Sequence, residues 1–404
     1  MTRTAATLGR RPPRLPARQR FSWKSAWHDL GVRSWIYQAV VLIGVIALGS
    51  FLIGNAQEAL SKQGISTGFA FLGDDAGFEI GERSIAFQST DSFARAYGVA
   101  VLNTFKVSVA SIVLATLIGT IVGLGRLSSN WLWRKFASLY VEIFRNTPQL
   151  VQLIFWYTVI TKLPHPRQAI SLGDVAFLSN RGFSIPWLTN DLAFWLLLAA
   201  VLASGVLMWT MLRLVDRRRK QSGQKQPVAF VLTLMVAAVP LVLAMLLGPS
   251  YEITVPALKG FNYQGGTTVS PEFLALLLGL SLYIGAFIAE IVRSGIQSVS
   301  AGQIEAAQTV GLRPFNIYRR VVFPQALRVM VPPAAGQYVS IVKNSSLGVA
   351  IGYPELFSVN NTIVTLSGHT VEAIAIMMSI YLAISFSIAI LMNLYNHKVQ
   401  IKER

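Results

Sequence analysis

The sequence predicts an all-α, polytopic membrane protein of about eight transmembrane helices, and three observations carry that prediction. The 404 residues are 53% hydrophobic and 13% charged, about half the charged fraction of a soluble domain. Eight stretches reach the roughly 20 mostly apolar residues that a spanning helix needs. The basic residues are also segregated. With a cytoplasmic N-terminus, the inner segments 1–34, 126–147, 213–227, 293–330 and 395–404 hold 26 Lys/Arg. The outer segments 55–96, 163–191, 249–270 and 353–370 hold 6. That bias predicts both termini in the cytoplasm.

The same composition narrows the chemistry. There is no cysteine, which removes disulfides, thiolate nucleophiles and Cys-ligated metals. Four scattered histidines, His28, His165, His369 and His397, make a poor metal site. The net charge of +17 is accounted for by basic inner loops, so no nucleic-acid partner is called for. No GxxxxGK[ST] loop, HExxH or nucleophile elbow occurs. This chain is therefore not expected to be an enzyme or to hydrolyse ATP itself.

In chain order, residues 1–34 carry eight Lys/Arg and Pro12, Pro13 and Pro16, the pattern of a disordered basic tail. They contain no apolar region of a cleavable signal, so the span at 35–54 reads as a retained anchor. An acidic outer loop follows to 96, with Asp74, Asp75, Glu79, Glu82 and Asp91. The span 97–125 carries Gly119 and Gly123, a small-xxx-small pair suited to close helix packing. The span 138–162 is interrupted by Arg145 to Gln149, and its crossing part begins near Pro148. Spans 192–212 and 228–248 flank the basic run Asp216-Arg217-Arg218-Arg219-Lys220, which pins their loop inside. Outer loops rich in Gly, Asn and Pro fill 165–191 and 249–270. Spans 271–292, 331–352 and 371–394 complete the set.

Between the last 271–292 residues and the 331–352 span lies a stretch with the grammar of a soluble helix pair. Ile304, Ala307 and Val310 fall at helical spacing. Gly311 sits where a left-handed residue ends a helix, and Pro314 suits the first position of the next. Phe315, Tyr318, Val321 and Val322 form an apolar stripe, with Arg319 and Arg320 off it. Pro324 is expected to stop this second helix.

Ionisable side chains inside a membrane need partners or water, and Lys106, Glu290, Lys343 and Glu372 qualify. Glu290 and Arg293 are i,i+3 neighbours able to pair. Lys106, near the outer end of its helix, is placed to snorkel. Gln337, Ser340 and Asn344 share one helical face, which is expected to line a translocation cavity.

The spacing Glu305-Ala306-Ala307, three residues, Gly311, nine residues, Val321-x-Phe323-Pro324 resembles the EAA signature of permease subunits of bacterial ABC importers. Val321 and Phe323 replace its Ile and Leu. Phe144-Arg145-Asn146-Thr147-Pro148-Gln149-Leu150-Val151-Gln152 resembles the FRGTPLLVQ segment of the polar amino-acid group, with Asn146 for glycine. The run from Tyr283 to Ile296 and the segment Lys343-Asn344-Ser345-Ser346-Leu347 resemble two further segments of that histidine/glutamine permease group. The larger layout is most similar to permeases of general L-amino-acid importers.

The resemblance implies a type I importer permease fold with a five-helix core. Its domain spans 97–395, with an inserted helix pair and outer loops at 165–270 and coupling helices at 298–330. The N-terminal helix and acidic loop, 35–96, are extra, and 396–404 is a cytoplasmic end. It implies coupling to a separate ATPase dimer through Glu305, Ala306, Ala307, Gly311, Arg313 and Pro324. The substrate cavity is assigned to Gln337, Ser340, Lys343, Asn344, Asn146, Thr147 and Gln149, with Pro148 opening backbone carbonyls toward it. A neutral Gln337, where relatives often carry an acid, suits a broad substrate range. Implied partners are a second related permease or a second copy, a periplasmic binding protein, an amino acid and inner-membrane lipid. ATP and Mg²⁺ belong to the ATPase, with no cofactor on this chain. The rival reading is an ATP-independent secondary transporter or channel; it predicts an inverted repeat, and none is evident.

Overall fold

The computed structural model of the chain describes residues 30–62, 68–188, 191–222, scattered positions between 235 and 246, and 253–399. Most of the expected basic tail and of the 228–248 span lies outside the described residues. Contacts divide the chain after Gly68 into two units. The described part of the first is α1 (Leu30–Lys62), whose stretch Arg33–Leu52 is long and apolar enough to cross a membrane.

The second unit holds α2 (Phe93–Arg126), α3 (Trp131–Asn146), α4 (Gln149–Thr161), α5 (Asp191–Ser222), α6 (Pro271–Gln297) and α7 (Ala301–Thr309). It continues with α8 (Pro314–Ile317), α9 (Phe323–Asn344), α10 (Leu356–Ser367) and α11 (Thr370–Val399). Including α1, four helices among the described residues are long and apolar enough to span, the others being α2, α6 and α11. These four correspond to the expected spans 35–54, 97–125, 271–292 and 371–394.

The axis is α6. Ser270 caps it by accepting from the Phe273 amide at 3.1 Å, and Pro271 takes the first turn, where its missing N–H costs nothing. Ala275, Leu276, Leu280, Ile284 and Ala289 are fully buried, and α2, α3, α4 and α9 pack around them. Between helices in lipid the hydrophobic effect offers little, so close van der Waals approach must hold them. Gly119 and Gly123 permit it. A Cβ on Gly119 would lie 2.6 Å from Ile288 Cβ, and one on Gly123 would lie 2.7 Å from Ala289 O.

The expected interruption of 138–162 is present: the chain forms two helices, α3 ending at Asn146 and α4 beginning at Gln149. Thr147 is extended, with φ −104° and ψ 139°, as a residue before proline prefers. The 13-residue α4 measures only about 20 Å. The expected span 331–352 also ends early: α9 stops at Asn344 and a 3₁₀ segment, Ser345–Ile351, follows. The expected outer loop 353–370 contains a further helix, α10. Its cap is Glu355, fully buried, accepting from the amides of Phe357 and Ser358 and from Tyr381 Oη. Burial pushes the Glu355 carboxyl above its ordinary range, against the pull of those donors.

The loops expected on the outer side are partly strand. β1 (Ile170–Leu172), β2 (Ala176–Ser179), β3 (Gly182–Ile185) and β8 (Thr267–Val269) make an antiparallel sheet in the order β1-β2-β3-β8. Beside it β4 (Trp187–Leu188) pairs with β5 (Ile253–Thr254), and β6 (Ala257–Lys259) with β7 (Asn262–Gln264). The chain thus leaves for α5 and returns at paired strands. Within the acidic loop, Phe71, Ala76, Ile80 and Phe87 are buried against Tyr97 and Ala100 of α2 and Leu356 and Ile363 at α10.

Candidate functional site

The helix pair after α6 closes on Gly311. Val310 caps α7, and Gly311 follows at φ +79°, a left-handed conformation that strains any residue with a Cβ. The Gly311 amide donates to Gln308 O at 2.9 Å, and the Leu312 amide to Ala307 O at 3.2 Å. These two bonds are those of a Schellman motif and satisfy carbonyls the helix end would leave open. Ala307, Ile317 and Val322 are buried together, with Ile304, Leu312 and Val321 beside them. Val322 of the expected stripe therefore faces in, whereas Phe315 and Tyr318 face out at 72% and 59% exposure. Val310 beside Gly311 is 80% exposed. Glu305, Ala306 and Arg313 are exposed too, as are Arg319 and Arg320. None of the four charged residues enters an ion pair among the described residues.

Pro324 does not stop the second helix, which corrects the expectation. Residues 318–322 form a π turn leading directly into α9, with the Phe323 amide donating to Tyr318 O, five residues back. Proline removes the amide that would bond four residues back and crowds that carbonyl; the wider turn just before it gives the room. Gln325 Nε2 donates to Val321 O at 3.0 Å. The helix pair is consequently continuous with α9 on one side, and joined to α6 by three residues on the other.

A second polar cluster lies where α4 begins and α9 ends. Asn344 Nδ2 donates to Gln149 Oε1 at 2.7 Å, joining the two sets of residues assigned to the cavity. Gln149 Nε2 is buried with no partner among the described residues. Gln152 Nε2 donates to Phe144 O at 3.0 Å, Thr147 O at 3.2 Å and Thr147 Oγ1 at 2.6 Å. Phe144 O is the carbonyl left without a donor by Pro148, so the Gln152 amide takes the place of the missing N–H. The carbonyls expected to open toward a cavity at Pro148 are covered instead. Thr147 turns inward, and Asn146 is exposed. On α9, Gln337 is half-buried, Ser340 Oγ donates back to Gly336 O at 2.9 Å, and Lys343 is exposed. The structure thus brings Gln149 and Asn344 into contact, and places Ser340 and Gln337 about one and two turns away along α9.

Of the ionisable residues singled out within the helices, Glu290, Lys106 and Glu372 have charged groups beside them. Glu290 of α6 accepts from both Arg293 and Arg126, the last residue of α2. Arg126 has no sequence signal, being 164 positions from Glu290. Lys106 pairs with Glu82 at 2.7 Å and lies 4.8 Å from the Phe273 ring centre. Glu82 also accepts from Ser270 Oγ, so one loop carboxylate ties α2 to the cap of α6. Glu372 stands 4.0 Å from His369.

Comparison with known proteins agrees with this architecture. Residues 220–401 match the family described as Binding-protein-dependent transport system inner membrane component. The chain is 44% identical, over 92% of its length and 95% of the relative's, to the protein of Escherichia coli (strain K12) named "Putative amino-acid ABC transporter permease protein YhdX". It is 38% identical to the General L-amino acid transport system permease protein AapQ of Rhizobium johnstonii, over 95% of this chain and 96% of that one. A third relative is the Glutamate/glutamine/aspartate/asparagine transport system permease protein BztB of Rhodobacter capsulatus, 34% identical over 96% and 99%. End-to-end identity at this level means that this membrane-embedded chain belongs to the permease subunits of amino-acid ABC transporters.

Proposed function

We propose that the chain forms part of the path by which an importer in a bacterial inner membrane carries amino acids inward, both termini lying in the cytoplasm. The observation that carries this reading is the helix pair on Gly311. It is rigidly closed, presents Val310, Phe315 and Tyr318 outward, and runs without a break into α9. An exposed apolar and basic surface of this kind suits a groove on another protein. The partner is an ATPase dimer, which holds ATP and Mg²⁺ and hydrolyses the nucleotide. Glu305, Ala306, Ala307, Gly311, Arg313 and Pro324 form or support the contact. A push on α7 and α8 reaches α9, whose Gln337, Ser340, Lys343 and Asn344 face the path together with Asn146, Thr147 and Gln149 at the α3–α4 break.

A second permease, related to this chain and contributing the facing half, completes the path. A periplasmic binding protein delivers the substrate. The relatives named for general L-amino acids and for glutamate, glutamine, aspartate and asparagine support a broad range, and Gln337 adds no charge to bias it.

The test is amino-acid uptake into cells carrying the whole system. Gly311→Val places a β-branched residue at φ +79°, a strain of about 1–3 kcal/mol. Uptake should fall at least tenfold at normal membrane levels, and Gly311→Asn, better tolerated in that conformation, should retain more. Equal uptake by all three proteins would refute the coupling role.

A further inference from the structure

We propose that the groove between the C-terminal end of α2 and α3 is a binding site for an anionic phospholipid. The groove has a volume of about 510 Å³, and Ile121, Leu124, Trp133, Phe136 and Ala137 give it an apolar lining. Its hydroxyl at Tyr140 is already spent, donating to Leu282 O at 2.7 Å. Hydrocarbon is the chemistry such a lining accepts.

One end of the groove is different. Ser128 lines it, and Ser128 O accepts from Arg134 Nη1 at 3.2 Å. That contact fixes a guanidinium beside the groove mouth. Arg134 and the adjacent Lys135 are both exposed, and neither enters an ion pair among the described residues. Arg134 has further N–H donors beyond the one used on Ser128, in a fork that matches phosphate oxygens. An acyl chain in the groove would bring its phosphate within reach of Arg134, with the charge of Lys135 one residue further along the same exposed turn.

Two further features favour lipid over a protein partner. On α2 the exposed residues Val109, Val113, Leu117, Ile121 and Leu124 make one apolar stripe leading into the groove. A stripe of that length belongs in hydrocarbon. On α3 Trp131 and Trp133 are 68% and 62% exposed and directly precede the basic pair. Tryptophan beside Lys and Arg is the composition of a helix at the membrane interface. Asn130 caps that helix through the amides of Leu132 and Trp133, which holds the two tryptophans on a regular turn.

The experiment uses the full-length chain, purified with its associated subunits into nanodiscs whose leaflets are identical, so orientation does not matter. Trp133 fluorescence is read as the difference between wild type and Trp133→Phe. Brominated acyl chains are supplied on phosphatidylglycerol or on phosphatidylcholine at equal mole fraction. Quenching should occur at several-fold lower mole fraction with phosphatidylglycerol, at about fivefold for each basic residue near the headgroup. Arg134→Gln with Lys135→Gln should bring the two lipids to equality while uptake-competent assembly persists. Equal quenching of wild type by both lipids would leave only general bilayer contact and overturn the proposal. Quenching by neither would mean that protein covers the groove, and would overturn it as well. No outcome depends on the substrate or coupling roles.

Discussion

Gly119 and Gly123 show how single residues set the helix spacing. Their missing side chains let α2 approach α6 until Ile288 Cβ, Ala289 O and Val292 Cβ stand where a methyl group would be. Gly119→Ala should therefore destabilise the subunit by about 1–3 kcal/mol through overpacking. Gly98→Ala on the same helix, with nothing within 4 Å of the added atom, should be neutral. Thermal aggregation of the two variants in detergent measures the difference, and equal midpoints would refute the close-packing account. The Asn344–Gln149 bond calls for a double-mutant cycle. Asn344→Leu and Gln149→Leu should each lower stability, and together cost less than their sum by about 0.5–1.5 kcal/mol. Additive losses would show that the 2.7 Å contact carries no energy of its own.

Among the elements, the turn before α9 was the least legible. The sequence places Pro324 where a helix ends, and the rule behind that reading is sound: proline cannot donate and clashes with the preceding turn. The chain keeps its helix by widening the turn over Tyr318–Val322, a solution that a periodic pattern does not announce. Pro324→Ala should restore an ordinary turn and rotate the helix pair relative to α9. Its expected effect is a lower ratio of uptake to ATP hydrolysis at unchanged protein level; an unaltered ratio would separate the π turn from coupling. Gly311 was readable because its requirement is local, a left-handed residue between two helical stretches. The residue Gln152, which replaces the amide missing at Pro148, is four positions downstream of it, and only the fold at Thr147 shows what it is for. Glu82 with Lys106, and Arg126 with Glu290, join residues 24 and 164 positions apart, and such separations leave no trace in local pattern. The helix α10 was missed for a related reason: 12 residues are too few for a span, and a hydropathy reading assigns what lies between spans to loop.

At the scale of the whole molecule, the β pairing shows where the inserted segment is separable. Leu188 pairs with Ile253 and Trp187 with Thr254, antiparallel. The 189–252 excursion thus begins and ends at neighbouring positions, like the loop of a hairpin. The adjoining pairs Phe183–Val269 and Ile185–Thr267 hold the same two chain segments together, independently of anything in the excursion. Directly after β8 the chain enters the Ser270 cap and α6, the packing axis, so the sheet fixes that entry point too. Replacing residues 189–252 by Asn-Gly, a pair suited to the tight turn of a two-residue hairpin, should leave α2, α4, α6 and α9 folded. The shortened chain should reach the membrane and melt within a few degrees of the parent, because among the described residues no buried member of the main core lies in the removed segment. Assembly with a second permease provides the other readout. If the excursion serves the contact between unlike subunits, the shortened chain should fold yet co-purify poorly with its partner. A shortened chain that fails to fold, even with the β4–β5 hairpin closed, would show that the excursion is structural and that the paired strands are not an independent clasp.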